Sequence, residues 1–116
     1  MNTARLISGI PVLSVELKGA DIDNLRQMTD LYRAKNPSGV AAIGSVIGDK
    51  PMIICAVTED LVKRGVNAGD LVRQAAALMG GSGGGRPVLA QAGGKDSSRL
   101  GEALESIYRL VEEKLK

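Results

Sequence analysis

Apolar positions along this chain fall into two rhythms, and the changes between them are marked by glycine, proline or a residue able to cap a helix. Val12, Val15 and Leu17 lie in a β-rich run over residues 11–18, closed by Gly19, which predicts a strand. Pro11 is tolerated at its start because the ladder does not yet need the missing N–H. From Asp21 to about Lys35 the spacing changes to three and four. Ile22, Leu25, Met28 or Thr29, and Tyr32 form one stripe of a helix. Asp21 is placed to cap it, and Asp23 puts negative charge where the helix dipole favours it. Asn36-Pro37-Ser38-Gly39 stops that helix. Arg26 and Arg33 share another of its faces, which reads as solvated surface.

Residues 40–47 and 52–57 are predicted strands joined by a hairpin connection, Gly48-Asp49-Lys50-Pro51. The second is apolar throughout, so it belongs at the centre of a sheet covered on both faces. Cys55 is then a small core residue. Residues 58–65 read as one or two helical turns stopped by Gly65, with Lys63-Arg64 compensating the dipole at their end. Asn67, with Asp70 three residues on, resembles a capping box. It opens a helix whose buried face is Leu71, Val72, Ala75, Ala76 and Met79, with Ala75-Ala76-Ala77 allowing close approach to a sheet. That helix stops at Gly80-Gly81, a loop runs to Pro87, and residues 88–92 form a short extended segment. Asp96 or Ser97 caps a last helix lined by Leu100, Ala103, Leu104, Ile107 and Val111, while Glu102, Glu105, Arg109, Glu112, Glu113, Lys114 and Lys116 solvate its outer side. Tyr108 and Leu115 widen its stripe and suggest a homodimer through this C-terminal helix. The order β-α-β-β-α-β-α predicts an α/β fold, a single mixed β-sheet with flanking helices, over one domain spanning residues 1–116.

Composition narrows the chemistry. The chain has no Phe or Trp and only two Tyr, so its core is aliphatic. There is no His, which excludes imidazole acid–base catalysis and His-bearing metal sites. One cysteine cannot form an internal disulfide. A net charge of +2 does not by itself diagnose a nucleic-acid partner. No apolar run approaches the roughly 20 residues of a membrane helix, and residues 1–5 do not open a signal peptide. A cytoplasmic location without membrane contact is expected. Residues 5–10 read as continuing from something upstream, so the chain is expected to be the C-terminal piece of a longer protein.

Residues 80–95 hold seven of the 15 glycines, together with Arg86 and Lys95. A phosphate-binding P-loop needs Lys and Ser or Thr after its last glycine, and Arg86-Pro87 stands there instead. The dinucleotide pattern G-x-G-x-x-G is also absent from this stretch, Ser82 has no His to activate it, and the acids Glu59-Asp60 and Glu112-Glu113 form no facing pair. No catalytic residue is assigned. Binding is better served. Successive glycines can turn N–H groups toward an anion, and Arg86 offers planar bidentate donors. Gln91 can donate and accept, Lys95 can contact phosphate, and Asp96-Ser97-Ser98 opens a helix with N–H groups nearby. A flexible loop or tight turn uses glycine equally well.

Gly83-Gly84-Gly85-Arg86-Pro87, followed by Ala90-Gln91-Ala92-Gly93-Gly94, closely resembles the glycine loop of the C-terminal domain of alanyl-tRNA synthetases. Related DHH-associated domains of single-strand nucleases and small-nucleotide phosphodiesterases follow a similar glycine run with His and later Ala-Ala-Gly. Arg86-Pro87 and Gln91 favour the synthetase branch. Val88 stands where the synthetases usually carry Asp, a departure that bears on how Arg86 is held. The resemblance extends over most of the chain. It implies a tRNA-binding domain that follows the editing domain, contacts the tRNA elbow and helps aminoacylation and editing share one tRNA(Ala). Its partners would be that tRNA and the upstream aminoacylation and editing domains, with no cofactor or metal of its own. The expected RNA-binding residues are Gly83, Gly84, Gly85, Arg86, Gln91, Gly93, Gly94 and Lys95. Two alternatives are a nucleotide- or single-strand-binding domain of a DHH-family phosphoesterase, and a dimerisation module.

Overall fold

The apolar run of residues 52–57 lies at the heart of a six-stranded sheet. In the computed structural model, which describes residues 4–115, the strands are β1 (Arg5–Ile7), β2 (Ile10–Glu16), β3 (Val40–Ile47), β4 (Lys50–Val57), β5 (Ser82–Gly85) and β6 (Leu89–Gly93). Their order is β1-β2-β3-β4-β6-β5. The pair β2–β3 is parallel and the others are antiparallel, so the mixed sheet expected from the sequence is present. The helices are α1 (Ile22–Lys35), α2 (Glu59–Lys63), α3 (Ala68–Leu78) and α4 (Leu100–Leu115), the last entered through a tight turn at Ser97–Arg99.

Strand alternation assigns the two faces of β4. Ile53, Cys55 and Val57 join the larger core beneath α3 and α4, with Val72, Ala76, Leu100, Ile107 and Val111. Ile54 turns to the other side and packs with Leu25 of α1 and Ile43 of β3. Burying one such side chain fully stabilises the fold by about 1.5–3 kcal/mol relative to exposure. In α1 the stripe resolves in favour of Thr29, whose hydroxyl donates to the Arg26 carbonyl at 2.8 Å, while Met28 stays exposed. Asp21 and Asn24 form a reciprocal capping box. At α3 the Asn67 side chain accepts from the Asp70 N–H, but Asp70 pairs with Arg73 instead of returning the contact.

Three features correct the predicted order. Residues 5–7, which the predicted order leaves out, form strand β1, hairpinned onto β2 through Ser8 and Gly9, both at positive φ (53° and 80°). The presumed loop from Gly80 to Pro87 contains β5, the edge strand of the sheet. The helical turns predicted over residues 58–65 are present as α2, an element the seven-part order leaves out. Tyr108 and Leu115 are each only 7% exposed and sit in the chain's own core, which removes the feature that suggested a dimer through α4. Lys116, assigned to the solvated face of α4, lies outside the described residues.

Cys55 is fully buried, and burial pushes its thiol up to about pKa 12. The folded chain therefore holds this proton more tightly than the unfolded chain, whose thiol ionises near pH 8.5. The stability this contributes is present below that pH and declines as pH rises through it. A thiol reagent is expected to label Cys55 only at the rate of unfolding. Labelling much faster than unfolding, timed by circular dichroism, would show that the thiol is accessible in the native state.

Candidate nucleic-acid interface

On the face of the sheet that carries Ile54, α1 packs against β3 and β4. By register this face continues over Leu89 and Gln91 of β6 and Gly84 of β5, and Gln91 is exposed. Arg26 reaches from α1 across the step between helix and sheet, and its guanidinium donates to Gln91 Oε1 at 3.3 Å. Arg26, Gln91, Gly84 and Arg86 border an open groove of about 200 Å³ floored by Ile54 and Leu89. Its lining carries two guanidinium groups and no carboxylate.

The glycines divide by strand parity. On the α3 side, a Cβ on Gly83 would overlap the Cβ of Ala92, and one on Gly85 would lie 2.8 Å from the Ala90 Cα. Gly69 of α3 is itself pressed toward the Gly85 carbonyl. These glycines let a helix and a partner strand approach the backbone. Gly84 faces the other way, and a Cβ there would meet nothing within 4 Å, so bare backbone borders the groove. Ser82–Gly85 is an extended strand, with N–H groups pointing alternately to opposite sides. It is not the converging anion nest expected from the glycine run.

Arg86 is held by a two-residue hairpin loop. Its N–H donates to the Leu89 carbonyl at 3.0 Å, and the Leu89 N–H returns to the Arg86 carbonyl at 3.3 Å. The loop carbonyls are pinned as well, Pro87 by the Ala68 N–H at 2.9 Å and Val88 by the Val57 N–H at 3.0 Å. The Val88 side chain lines a different hollow, with Arg33, Thr58 and Asp60.

The structure thus gathers Gly84, Gly85, Arg86 and Gln91 and separates the other predicted site residues from them. Gly83 faces Ala92 on the opposite side of the sheet. Gly93 lies against Met52, and Gly94 against Met79. Lys95 is exposed two residues beyond Gly93, whose pairing with Ser82 is itself four steps, or about 13 Å along the strands, from the turn at Arg86. Most N–H groups at the start of the last helix are already engaged. Those of Lys95 and Asp96 donate to the Met79 carbonyl, and that of Ser98 to the Asp96 carboxylate. Sequence reasoning does not find Arg26 as a site residue. Its sequence signal is only a place on a polar helix face, because its partner lies 65 positions away. Among the described residues, no group of three or more His, Cys, Asp or Glu is placed to hold a metal ion, and no helix is long and apolar enough to cross a membrane.

Comparison with known proteins identifies the family. The alanine–tRNA ligase of Pelotomaculum thermopropionicum is 48% identical over all 116 residues, which make up 13% of that protein. That of Bacillus subtilis is 44% identical over 107 residues, covering 92% of this chain and 12% of the ligase. The chain therefore spans about an eighth of the curated relatives it matches. In three dimensions it resembles the C-Ala domain from Aquifex aeolicus alanyl-tRNA synthetase, with a TM-score of 0.85 and 25% identity over 96% of this chain and 99% of that one. A DHH-domain protein described as a member of a family of ribosomal proteins shares the fold at a TM-score of 0.65 and 12% identity, covering 96% of this chain and 28% of that one. The family model for the DHHA1 domain matches residues 9–113. The chain belongs to the DHHA1 domain family.

Proposed function

We propose that this domain is the tRNA-binding module of an alanine–tRNA ligase, laying the face formed by β5, β6 and Arg26 against the backbone of folded tRNA(Ala) at its elbow. In that role it acts in the cytoplasm, has no catalytic centre or cofactor of its own, and helps the aminoacylation and editing domains of the same chain share one bound tRNA. The observation that carries the reading is the groove itself: two guanidinium groups beside bare strand backbone, without a carboxylate. At about 200 Å³ it is smaller and more open than sites that enclose a small molecule, which occupy about 300–1,000 Å³. That favours an edge of a macromolecule over the free nucleotide of a phosphoesterase. With both tyrosines in helices and largely covered, base stacking on aromatic rings plays little part.

Titration of labelled tRNA against wild type and an Arg86→Ala, Lys95→Ala double variant tests this. The double variant is expected to bind about 10-fold more weakly, and its salt dependence to be shallower by up to about 2 in log–log slope. Equal affinities would place the contact elsewhere. Aminoacylation or deacylation by the chain alone would overturn the non-catalytic role.

A further inference from the structure

Resting on the RNA-binding reading above, we infer that Arg26 sets the orientation of the Gln91 amide, so that the side chains of this groove present hydrogen-bond donors and favour acceptor atoms of the RNA. A guanidinium carries five N–H donors and no acceptor. The group Gln91 turns toward Arg26, at 3.3 Å, must therefore be its oxygen. The amide NH2 then points away from Arg26. Gln91 pairs across the ladder with Gly84, where the missing side chain leaves open space. The NH2 is thus free to meet a ligand. Because Gln91 is exposed, packing does not choose between its two amide orientations, and Arg26 does. Arg86 adds further donors at the hairpin turn, and no carboxylate lines the groove to accept a bond from the ligand. Phosphate oxygens, ribose oxygens and acceptor edges of bases fit such a surface. A base amino group would meet only backbone carbonyls there.

The rival explanation is that Arg26 is simply another phosphate contact and its bond to Gln91 incidental. A double-mutant cycle on tRNA affinity, run over a salt series, separates the two. Arg26→Met and Gln91→Ala are each expected to weaken binding about 5-fold, and the double variant by about the same factor, because either change removes the oriented NH2. Arg26→Lys, which keeps the charge and a donor toward Oε1, should recover most of the affinity, and Arg26→Met should lower the salt slope by no more than the roughly 1 that its lost charge accounts for. Gln91→Glu, with the same shape but no donors, should bind at least as weakly as Gln91→Ala. Losses that multiply to about 25-fold would overturn the orienting role. So would wild-type affinity in Gln91→Glu. If wild type itself does not retain tRNA, the RNA-binding reading falls and this inference with it.

Discussion

Gly83→Ala is expected to destabilise the domain by about 3 kcal/mol or more, whereas Gly84→Ala leaves stability within about 0.5 kcal/mol of wild type. The two glycines are adjacent in one strand, and nothing in their chemistry distinguishes them. Geometry does. A Cβ on Gly83 would overlap that of Ala92 and lie 2.6 Å from the Ala92 Cα and 2.7 Å from the Gln91 carbonyl oxygen. Those are backbone atoms of β6, already tied into ladders on both sides, so they cannot yield without breaking the sheet edge. At Gly84 the space is empty, and alanine also loses less backbone entropy than glycine on entering a strand. With about 4 °C per kcal/mol for a domain of this size, thermal melts should show Gly83→Ala about 12 °C or more below wild type. Gly84→Ala should melt with wild type yet bind tRNA more weakly, because its methyl stands on the open face. Equal melting temperatures for the two variants would mean that β5 does not pack as described.

That contrast also locates what the sequence could and could not reveal. The uninterrupted apolar run of residues 52–57 identified the central strand, because only a strand covered on both faces carries such a pattern. Asp21 and Asn67 marked helix starts because capping is local chemistry, complete within three residues. Strand β5 was not legible. Glycine runs have no strand propensity, and what makes Ser82–Gly85 a strand is non-local, the hairpin to β6 on one side and the close approach of α3 on the other. The small residues of α3 did signal close approach to a sheet, but not that the glycine run was the strand approached. The candidate site was half legible for the same reason. Arg86 and Gln91 were visible because they interrupt the glycines. Their separation from Gly83 and Lys95 follows from strand parity and hairpin length, which only the folded ladder sets. Arg26 enters from a helix 65 residues distant.

Tyr108→Phe is expected to cost about 2 kcal/mol or more, while Tyr32→Phe leaves stability unchanged or raises it. Both variants delete one hydroxyl, and the difference lies in what that hydroxyl does. Strand β1 pairs only with Ile10–Val12 of β2. Two residues further along the same edge, Ser14 presents its N–H and carbonyl where ladder partners would be needed. The Tyr108 hydroxyl supplies both, accepting from the Ser14 N–H at 3.1 Å and donating to its carbonyl at 3.0 Å. Ser14 Oγ meanwhile donates to the Leu104 carbonyl at 2.6 Å, so α4 is fastened to β2 by three buried bonds. Removing the Tyr108 hydroxyl leaves two buried backbone groups unsatisfied, each worth about 1–3 kcal/mol. Among the described residues the buried Tyr32 hydroxyl has no hydrogen-bond partner, so its deletion removes a desolvated group and breaks no bond seen there. Burial also raises the Tyr32 pKa above the usual tyrosine value, with a smaller contribution from Tyr108. The folded chain thus holds the Tyr32 proton more tightly than the unfolded one. The resulting stability is present below about pH 10 and lost as pH rises through the folded pKa. Chemical denaturation at pH 7 compares the two variants directly, and a series up to pH 11 should show a shallower alkaline decline in Tyr32→Phe than in wild type. If Tyr108→Phe proved as stable as wild type, the edge of β2 would not depend on α4. Since Tyr108 and the groove between Arg26 and Arg86 occupy opposite ends and faces of the sheet, Tyr108→Phe should keep wild-type tRNA affinity at temperatures where it remains folded.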